Sequence, residues 1–546
     1  MPRITIDEQE IEVAAGATII QAADQAGIDI PRYCYHPGLS IVGVCRICLV
    51  EIEGMPKLQV ACYTPVAEGM VVSTKSERVQ QARKHVLEFL LANHPIDCPV
   101  CDQAGECWLQ EYYMQFGLYD PKMQEDKNKK HKAVVVGPHV ILDAERCILC
   151  TRCVRFCDEI SQTHELGIFN RGDHAELMPM PGVALENPYS VNTVDICPVG
   201  ALTERDFRFK TRVWYLDTTP SVCAGCSTGC NIEIHTNTER TYKAEGRRVA
   251  RLKPRYNAHI NQFWICDEGR YSFLHVDADN RITRPAVRKG EGFEPVSWQD
   301  ALRTLADDIE KTRHGGGKIG VIGSAQMTVE DLYVLREFSR RFLGGDKIPV
   351  HLRPFEEPYH DDFLISKDRT PNTRGAELLG FSVSRAGISK MLEACHKGEI
   401  ELLFVFHHIL GRGFESGYID EAFGKCRQVI FIGSNEQATS ERAHMLLPAS
   451  TWVEKEGSFV NRDSRIQKLN QALAPLGESK PEWKILRDLS RVLGNALAYF
   501  EPGDIFAELA ASHPAFQGLS LHDIPADGLL LSTTAAEATA VAGEPG

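Results

Sequence analysis

Along the first fifteen residues apolar positions alternate with polar ones. Ile4, Ile6, Ile11 and Val13 stand on either side of the segment Asp7-Glu-Gln-Glu10. A period of two predicts a pair of short, half-buried strands joined by a turn. Over residues 18–26 the spacing lengthens to that of a helix, and a second helical run covers residues 77–91 and ends in Ala-Asn-His-Pro. Beyond residue 297 helices alternate with short apolar runs. Ser297-Trp-Gln-Asp300 opens a helix with capping chemistry, and Ala301, Leu302, Leu305 and Ile309 form its apolar face. The runs 319–322, 402–406 and 429–432 suit strands buried on both faces of a parallel sheet. Thr328-x-x-Asp331 caps the helix that follows the first of them. After about residue 525 the chain is alanine-rich without an apolar period and reads as a disordered tail.

Composition narrows the picture. With 546 residues, 43% hydrophobic and 25% charged, the chain is globular and long enough for several domains. A net charge of −14 argues against nucleic acid as a partner, because phosphate binding wants a basic face. No apolar stretch approaches the ~18–20 residues of a membrane span. The start, MPRITIDEQE, has no signal-peptide core. Membrane attachment is therefore expected only through a partner.

The cysteines change the picture most. Sixteen of eighteen lie within residues 34–266, which places a domain boundary near 275–290. Without a secretory signal, grouped thiols point to metal before disulfide. Cys34, Cys45, Cys48 and Cys62 follow C-x10-C-x2-C-x13-C, close to the plant-type [2Fe–2S] pattern of a cysteine loop and a distant fourth ligand. With the strands and helix before them they suggest a β-grasp ferredoxin. Cys98, Cys101 and Cys107 make three thiolates, one short of a cage, and His94 is the nearest soft donor. Cys147-x2-Cys150-x2-Cys153-x3-Cys157 has bacterial ferredoxin spacing, and Cys197-Pro198 carries the Cys-Pro that ends such a run. The residues before Cys197 offer no second cluster, so Cys147, Cys150, Cys153 and Cys197 are assigned one [4Fe–4S] cluster. Cys157 is left as a small buried hydrophobe. Cys223, Cys226, Cys230 and the remote Cys266 suit a further [4Fe–4S] cube. Zinc is the alternative at the first and fourth sets, where four thiolates also suit that ion.

Four clusters in succession have one economical purpose, the passage of electrons one at a time. No catalytic dyad or nucleophile stands out; the pair His407-His408 follows an apolar run and reads as a strand end. Neither G-x-G-x-x-G nor a Walker motif is present, and Gly315-Gly-Gly-Lys318 reads as a loop. NAD and flavin chemistry is therefore expected on a partner.

Residues 1–275 resemble the large iron–sulfur subunit (the G or 75 kDa type) of NADH:quinone oxidoreductase, respiratory complex I. The resemblance rests on Tyr33-Cys-Tyr-His-Pro-Gly38, Val44-Cys-Arg-Ile-Cys-Leu49, the run from His94 to Cys107, the run from Arg146 to Cys157, and Asp195-Ile-Cys-Pro-Val-Gly-Ala-Leu202. It implies a [2Fe–2S] cluster on the first set, a His-ligated [4Fe–4S] cluster on His94, Cys98, Cys101 and Cys107, and a [4Fe–4S] cluster on Cys147, Cys150, Cys153 and Cys197. The set Cys223, Cys226, Cys230 and Cys266 resembles an extra cluster of some bacterial members, off the main path. Residues from 220 onward are similar to the molybdopterin oxidoreductase fold. The similarity is carried by Trp264-Ile-Cys-Asp-Glu-Gly-Arg270, Arg281-Ile-Thr-Arg-Pro285 and the segment from Leu447 to Asn461 with Arg465 and Gln467. That part is short for a complete cofactor cradle, and Cys395 sits in no matching motif, so it reads as a degenerate scaffold without molybdenum.

The expected architecture is multidomain, α+β and α/β. A β-grasp [2Fe–2S] domain (1–78) precedes a [4Fe–4S] domain with one histidine and three cysteine ligands (79–118) and a ferredoxin-like [4Fe–4S] domain (119–215). A molybdopterin-oxidoreductase-type [4Fe–4S] domain (216–275), a shortened molybdopterin-oxidoreductase-like α/β domain (276–525) and a tail (526–546) complete it. The resemblance implies electron transfer from a flavoprotein NADH-binding subunit toward quinone, beside other peripheral-arm iron–sulfur subunits and indirectly the membrane arm. It also implies a peripheral position on the cytoplasmic side of the bacterial inner membrane. The competing expectation is a diaphorase subunit of an NAD-linked hydrogenase or a formate dehydrogenase complex.

Overall fold

Asp7 (φ 46°) and Glu8 (φ 73°) both take left-handed backbone conformations and turn the chain sharply. A turn of that hand matches the twist of the strands it joins. It links β1 (Arg3–Ile6) to β2 (Gln9–Glu12), antiparallel, with Ile4 opposite Ile11. Thr18 and Gln21 cap α1 (Ile19–Gln25) reciprocally, and the helix buries Ile19, Ile20, Ala22 and Ala23. β3 (Leu49–Ile52), β4 (Gln59–Val60) and β5 (Val71–Ser73) complete a sheet in the order β2-β1-β5-β3-β4, with β5 parallel to β1. One helix packed on this sheet is the expected β-grasp arrangement. The computed structural model describes residues 1–117, 123–345, 347–351, 358–407, 409–410 and 413–531.

Ser76 caps α2 (Glu77–Asn93), and α3 (Trp108–Tyr112) follows. β6 (Val134–Val135) and β7 (Val140–Leu142) precede α4 (Arg152–Glu159), the hairpin of β8 (Leu166–Phe169) and β9 (Glu176–Pro179), and α5 (Asn192–Asp195). β10 (Leu202–Glu204) pairs with β7 to close a small sheet ordered β10-β7-β6. Residues Met1–Leu216 form one compact unit and Asp217–Gly546 the other. This division lies upstream of the fourth cysteine set. The fourth cysteine set belongs to the same unit as the α/β half, because its strands and loops are hydrogen-bonded into it.

In the second unit β11 (Asp217–Val222), β12 (Asn231–Thr236) and β13 (Val249–Pro254) form an antiparallel meander, followed by α6 (Asp267–Arg270). The α/β part begins with the hairpin of β14 (Ala286–Lys289) and β15 (Gly292–Pro295). α7 (Trp298–His314), β16 (Lys318–Ser324), α8 (Val329–Phe338), β17 (Pro349–His351), α9 (Thr373–Leu378) and β18 (Ser382–Val383) follow. α10 (Arg385–His396), β19 (Ile400–Phe406), α11 (Ser416–Lys425), β20 (Gln428–Gly433) and β21 (Met445–Pro448) complete an eight-stranded sheet. Its order is β15-β14-β21-β20-β19-β16-β17-β18, and the strands from β21 to β18 in that order run parallel. β19 packs Leu402, Phe404 and Phe406 into one core and Leu403 and Val405 into another. Both faces are thus covered, and its continuous apolar sequence follows from that.

β22 (Gly457–Val460) and β23 (Arg465–Leu469) precede α12 (Glu482–Val492) and α13 (Pro502–Ser512), and β24 (Leu529–Leu530) returns to pair with β23. The expected tail from residue 526 therefore includes a paired strand. Residues 532–546 of it, like His408, lie outside the described residues. Among the described residues no helix is long and apolar enough to cross a membrane.

Candidate metal centres

The first donor set sits in the loop between α1 and β3 and just after β4. Cys34, Cys48 and Cys62 are buried and Cys45 half-buried. The thiol of Cys34 lies within hydrogen-bond reach of Cys45 and Cys62, and Cys62 in turn reaches Cys48. These contacts push Cys34 and Cys48 toward thiolate and hold Cys45 and Cys62 protonated. The four sulfurs thus form one connected group, the donor arrangement a thiolate-bound iron group would use.

At the second set α2 ends at Asn93, and His94 turns into extended backbone ahead of Pro95, as the ring of a following proline demands. Cys98 begins a short 3-10 turn, and Cys107 sits at the N-terminal end of α3. His94, Cys98 and Cys107 line one cavity of about 730 Å³, together with Leu91, Leu109 and Tyr113. Burial pulls the His94 imidazole down to about 4, so the ring is neutral and has a lone pair to give. In this arrangement its Nδ1 accepts the Ile96 N–H at 3.1 Å. The loop is pinned from Arg146, whose guanidinium meets Asp97 at 3.0 and 2.8 Å. Arg212 adds hydrogen bonds to the Cys101 and Pro99 carbonyls. Cys101 does not line the cavity; it faces Gly200, where a Cβ would stand 2.2 Å from its sulfur. Only a glycine leaves that thiol its space.

The third set wraps the start of α4. Leu149 (φ 54°) and Thr151 (φ 62°) take left-handed conformations that curl the chain around Cys150, and Cys153 lies in the first turn of the helix. Cys197 returns from α5. Burial drives the thiols of Cys147 and Cys150 up to about 12 and 11, and each is raised further by its neighbours in the set. Cys153 is raised by burial and then by Cys150, Cys147 and Cys197. Thiols that burial keeps neutral ionise more readily when a positive group joins them, and an iron group would supply that charge. The Leu149 N–H donates to the Cys147 sulfur at 3.4 Å. Cys157, fully buried in α4, is held protonated first by burial and then by Glu165 and Asp158.

The fourth set closes the β11–β12 turn. The Cys223 N–H donates to the Cys230 carbonyl at 2.9 Å, and Cys266 caps α6. All four cysteines are buried, and the Cys230 thiol is raised by burial and by Cys223, Cys226 and Cys266. Two sulfurs accept backbone N–H groups, Gly225 to Cys223 at 3.4 Å and Gly269 to Cys266 at 3.2 Å. A Cβ at Gly269 would stand 3.1 and 3.2 Å from the Cys223 and Cys266 sulfurs. The loop is fastened to the α/β part by Thr228 to the Leu364 carbonyl (2.7 Å) and by Gln467 to the Gly229 carbonyl (2.8 Å). Across the described residues no three His, Cys, Asp or Glu donors close tightly enough on one point to hold a single ion.

Members of three of the four sets meet in one core, while Cys48 and Cys62 pack into the core of the β-grasp sheet. Cys34 and Cys150 belong to an apolar cluster with Tyr33, Ile47, Leu87, Leu109, Tyr112, Val199 and Ala201, and Cys45, Cys107, Cys147 and Cys197 pack against it. Residues that sequence reasoning passed over hold this junction: Asp97, Arg146, Arg152 and Arg155. The last three lie inside the quoted Arg146–Cys157 run, and the fold buries all three.

In doubly wound sheets ligands bind outside the carboxyl ends of the strands where the order reverses. Here that place lies between β16 and β19. It holds a buried ion network. The Lys455 ammonium lies 2.9 Å from Asp331 and 2.8 Å from Glu482, and the His407 ring bonds Glu482.

Family models match the chain in the same order as these sites. A 2Fe-2S iron-sulfur cluster binding domain matches residues 2–77, and an NADH-ubiquinone oxidoreductase-G iron-sulfur binding region matches 83–122. The NADH-quinone oxidoreductase subunit 3 ferredoxin-like domain covers 137–203, the molybdopterin oxidoreductase Fe4S4 domain 216–278, and molybdopterin oxidoreductase 281–347 and 372–492. Fold and donor sets together define an iron–sulfur electron-transfer protein of mixed α/β build. The G subunit of NADH-quinone oxidoreductase from Rickettsia bellii is 39% identical over 631 residues, covering 95% of this chain and 90% of that one. The chain belongs to the family of NADH-quinone oxidoreductase G subunits. The G subunit of Streptomyces coelicolor is also 39% identical, over 70% of this chain, although the match spans only 44% of that relative. A chain of an NAD+-reducing [NiFe]-hydrogenase in its H2-reduced state is 32% identical over 39% of this chain and 91% of that chain, with a TM-score of 0.36.

Proposed function

We propose that this chain carries electrons from a flavoprotein NADH-binding partner toward quinone within a proton-translocating NADH:quinone oxidoreductase. In this reading Cys34, Cys45, Cys48 and Cys62 hold a [2Fe–2S] cluster. His94, Cys98, Cys101 and Cys107 hold one [4Fe–4S] cluster, Cys147, Cys150, Cys153 and Cys197 a second, and Cys223, Cys226, Cys230 and Cys266 a third. Such groups supply one-electron chemistry with little movement of their ligands. The chain's own residues hold the sulfurs, exclude water from them and aim N–H groups at them.

The observation that carries the proposal is the apolar core on which members of the first three donor sets converge. Successive one-electron sites need short, dry, rigid connections, and that core provides them. The α/β part is read as a scaffold without molybdenum, supported by the ion network at the carboxyl ends of β16 and β19. NADH and flavin belong to the partner, and the chain is peripheral on the cytoplasmic face of the membrane, attached through other subunits.

The test is metal and sulfide analysis of the purified chain. About 14 iron atoms per chain are expected from one two-iron and three four-iron groups. Zinc in place of iron would refute the electron-transfer reading, and molybdenum would favour a formate dehydrogenase.

A further inference from the structure

Two arginines on one face of α4, a single turn apart, sit where the first three donor sets meet. Arg152 is 2% exposed and Arg155 6%. Arg155 donates to the Cys34 carbonyl at 2.6 Å, to the Cys150 carbonyl at 3.4 Å and to the Ser40 carbonyl. One guanidinium therefore clasps a ligand residue of the first set and a ligand residue of the third. Arg152 donates to the Tyr35 carbonyl, next to Cys34, and to the Ile196 carbonyl at 3.1 Å, next to Cys197. Its guanidinium also stacks at 4.5 Å on the ring of Trp108, the neighbour of Cys107 in the second set. The Trp108 backbone N–H in turn donates to the Pro198 carbonyl at 3.1 Å. The charge on Arg152 acts on the Cys34, Cys150 and Cys197 sulfurs.

Among the described residues neither arginine has a carboxylate as a hydrogen-bond partner. Carbonyl oxygens receive their N–H groups, joined at Arg155 by the Thr151 hydroxyl. The Arg152 Nε–H is buried with no acceptor among the described residues. Burying an uncompensated cation is costly, and such a charge is tolerated where negative charge accumulates beside it. Anionic iron–sulfur groups on the Cys34 and Cys147 sets are such a charge, and each becomes one unit more negative on reduction.

We propose that Arg152 and Arg155 are positioning residues for electron transfer. Their buried charges fix the Cys34 loop against the Cys147 set and raise the reduction potentials of both groups together. The proposal rests on the cluster assignment above. A cation favours the reduced form, so raising both potentials in step keeps the electron moving between the two groups without stranding it on one.

The test is an EPR-monitored redox titration of the cluster-loaded full chain, comparing Arg152→Gln, Arg155→Gln, Arg152→Lys and Arg155→Lys with wild type. Each Gln variant should lower both midpoint potentials by at least tenfold in the oxidised-to-reduced ratio, which is about 59 mV for one electron. The Lys variants, which keep the charge but lose the fork, should stay within about threefold. If one neutral variant loses iron, the other decides. If both lose iron, or assemble with unchanged potentials, the role is structural and the proposal is overturned. A fall in the Lys variants equal to that in the Gln variants would also overturn it. A wild-type chain without a [2Fe–2S] signal would instead refute the cluster assignment.

Discussion

Lys455→Met probes the ion network of the α/β part. The ammonium is 3% exposed and lies 2.9 Å from Asp331 and 2.8 Å from Glu482, both fully buried. Methionine fills nearly the same volume, so the change removes charge and leaves packing almost intact. Two carboxylates then face each other in the core with only His407 to answer them. Removing one partner of a buried pair costs about 3–5 kcal/mol, because the remaining charge stays desolvated. At roughly 2 °C per kcal/mol for a large unit, the melting temperature of the second unit should fall by about 6–10 °C in scanning calorimetry. The triple change Lys455→Met, Asp331→Asn, Glu482→Gln removes the stranded charges and should recover most of the loss. pH gives a second readout. Burial opposes ionisation of Glu482, but Lys455 and His407 override it and hold the carboxyl at about 2. A lowered folded-state value means stability that is present above pH ~4.5 and is lost as the pH falls toward ~2. Asp331 is shifted the other way, by burial and by the Glu482 charge, and contributes in the opposite sense. Glu482 dominates because it alone bonds both cations. Lys455→Met should flatten the acid limb of the stability curve. A melting temperature within about 2 °C of wild type would refute the argument.

Two further changes test the donor assignments. Cys153→Ser should remove one four-iron group, lowering iron from about 14 to about 10 per chain with the loss of one paramagnetic signal, whereas Cys157→Ser should leave both unchanged. Equal losses from the two variants would show that Cys157 is a ligand. Gly200→Ala would drive a methyl group to 2.2 Å from the Cys101 sulfur. It should cost the His94 set its iron, about four atoms by metal analysis. Full retention would show that Cys101 faces elsewhere.

Much of this was legible in the sequence, for definable physical reasons. The hairpin at Asp7-Glu8, the caps at Ser297 and Thr328, and the buried strands β16, β19 and β20 are local: a period, a cap or an apolar run specifies each. Ligand spacing is local too, since a loop that delivers three thiolates to one group has few workable lengths. The junction was not legible. Nothing in Arg146-Cys-Ile-Leu-Cys-Thr-Arg-Cys-Val-Arg reveals that three of its arginines are buried, because their partners are carbonyls of residues 34–40 and 196 and the carboxyls of Asp97 and Asp143. Lys455 was equally silent, its partners lying 124 and 27 residues away.

Cysteine density and chain packing mark different things in the second unit. Cysteine density falls off after residue 266, and that fall marks the last ligand, a matter of chemistry. The division at Leu216 is set by what packs and pairs with what. Around the fourth set, Ser227 donates to the Asp368 carbonyl, Arg462 to the Ser227 carbonyl, and Asn231 to the Ala526 carbonyl. Each bond joins the cysteine loop to a residue far along the chain. A cluster on Cys223, Cys226, Cys230 and Cys266 would therefore cross-link the β11–β13 meander to the segments that close the α/β part. Members of the first three sets share a core that suits conduction. The fourth is tied to the unit it stabilises, and its first expected consequence is for folding.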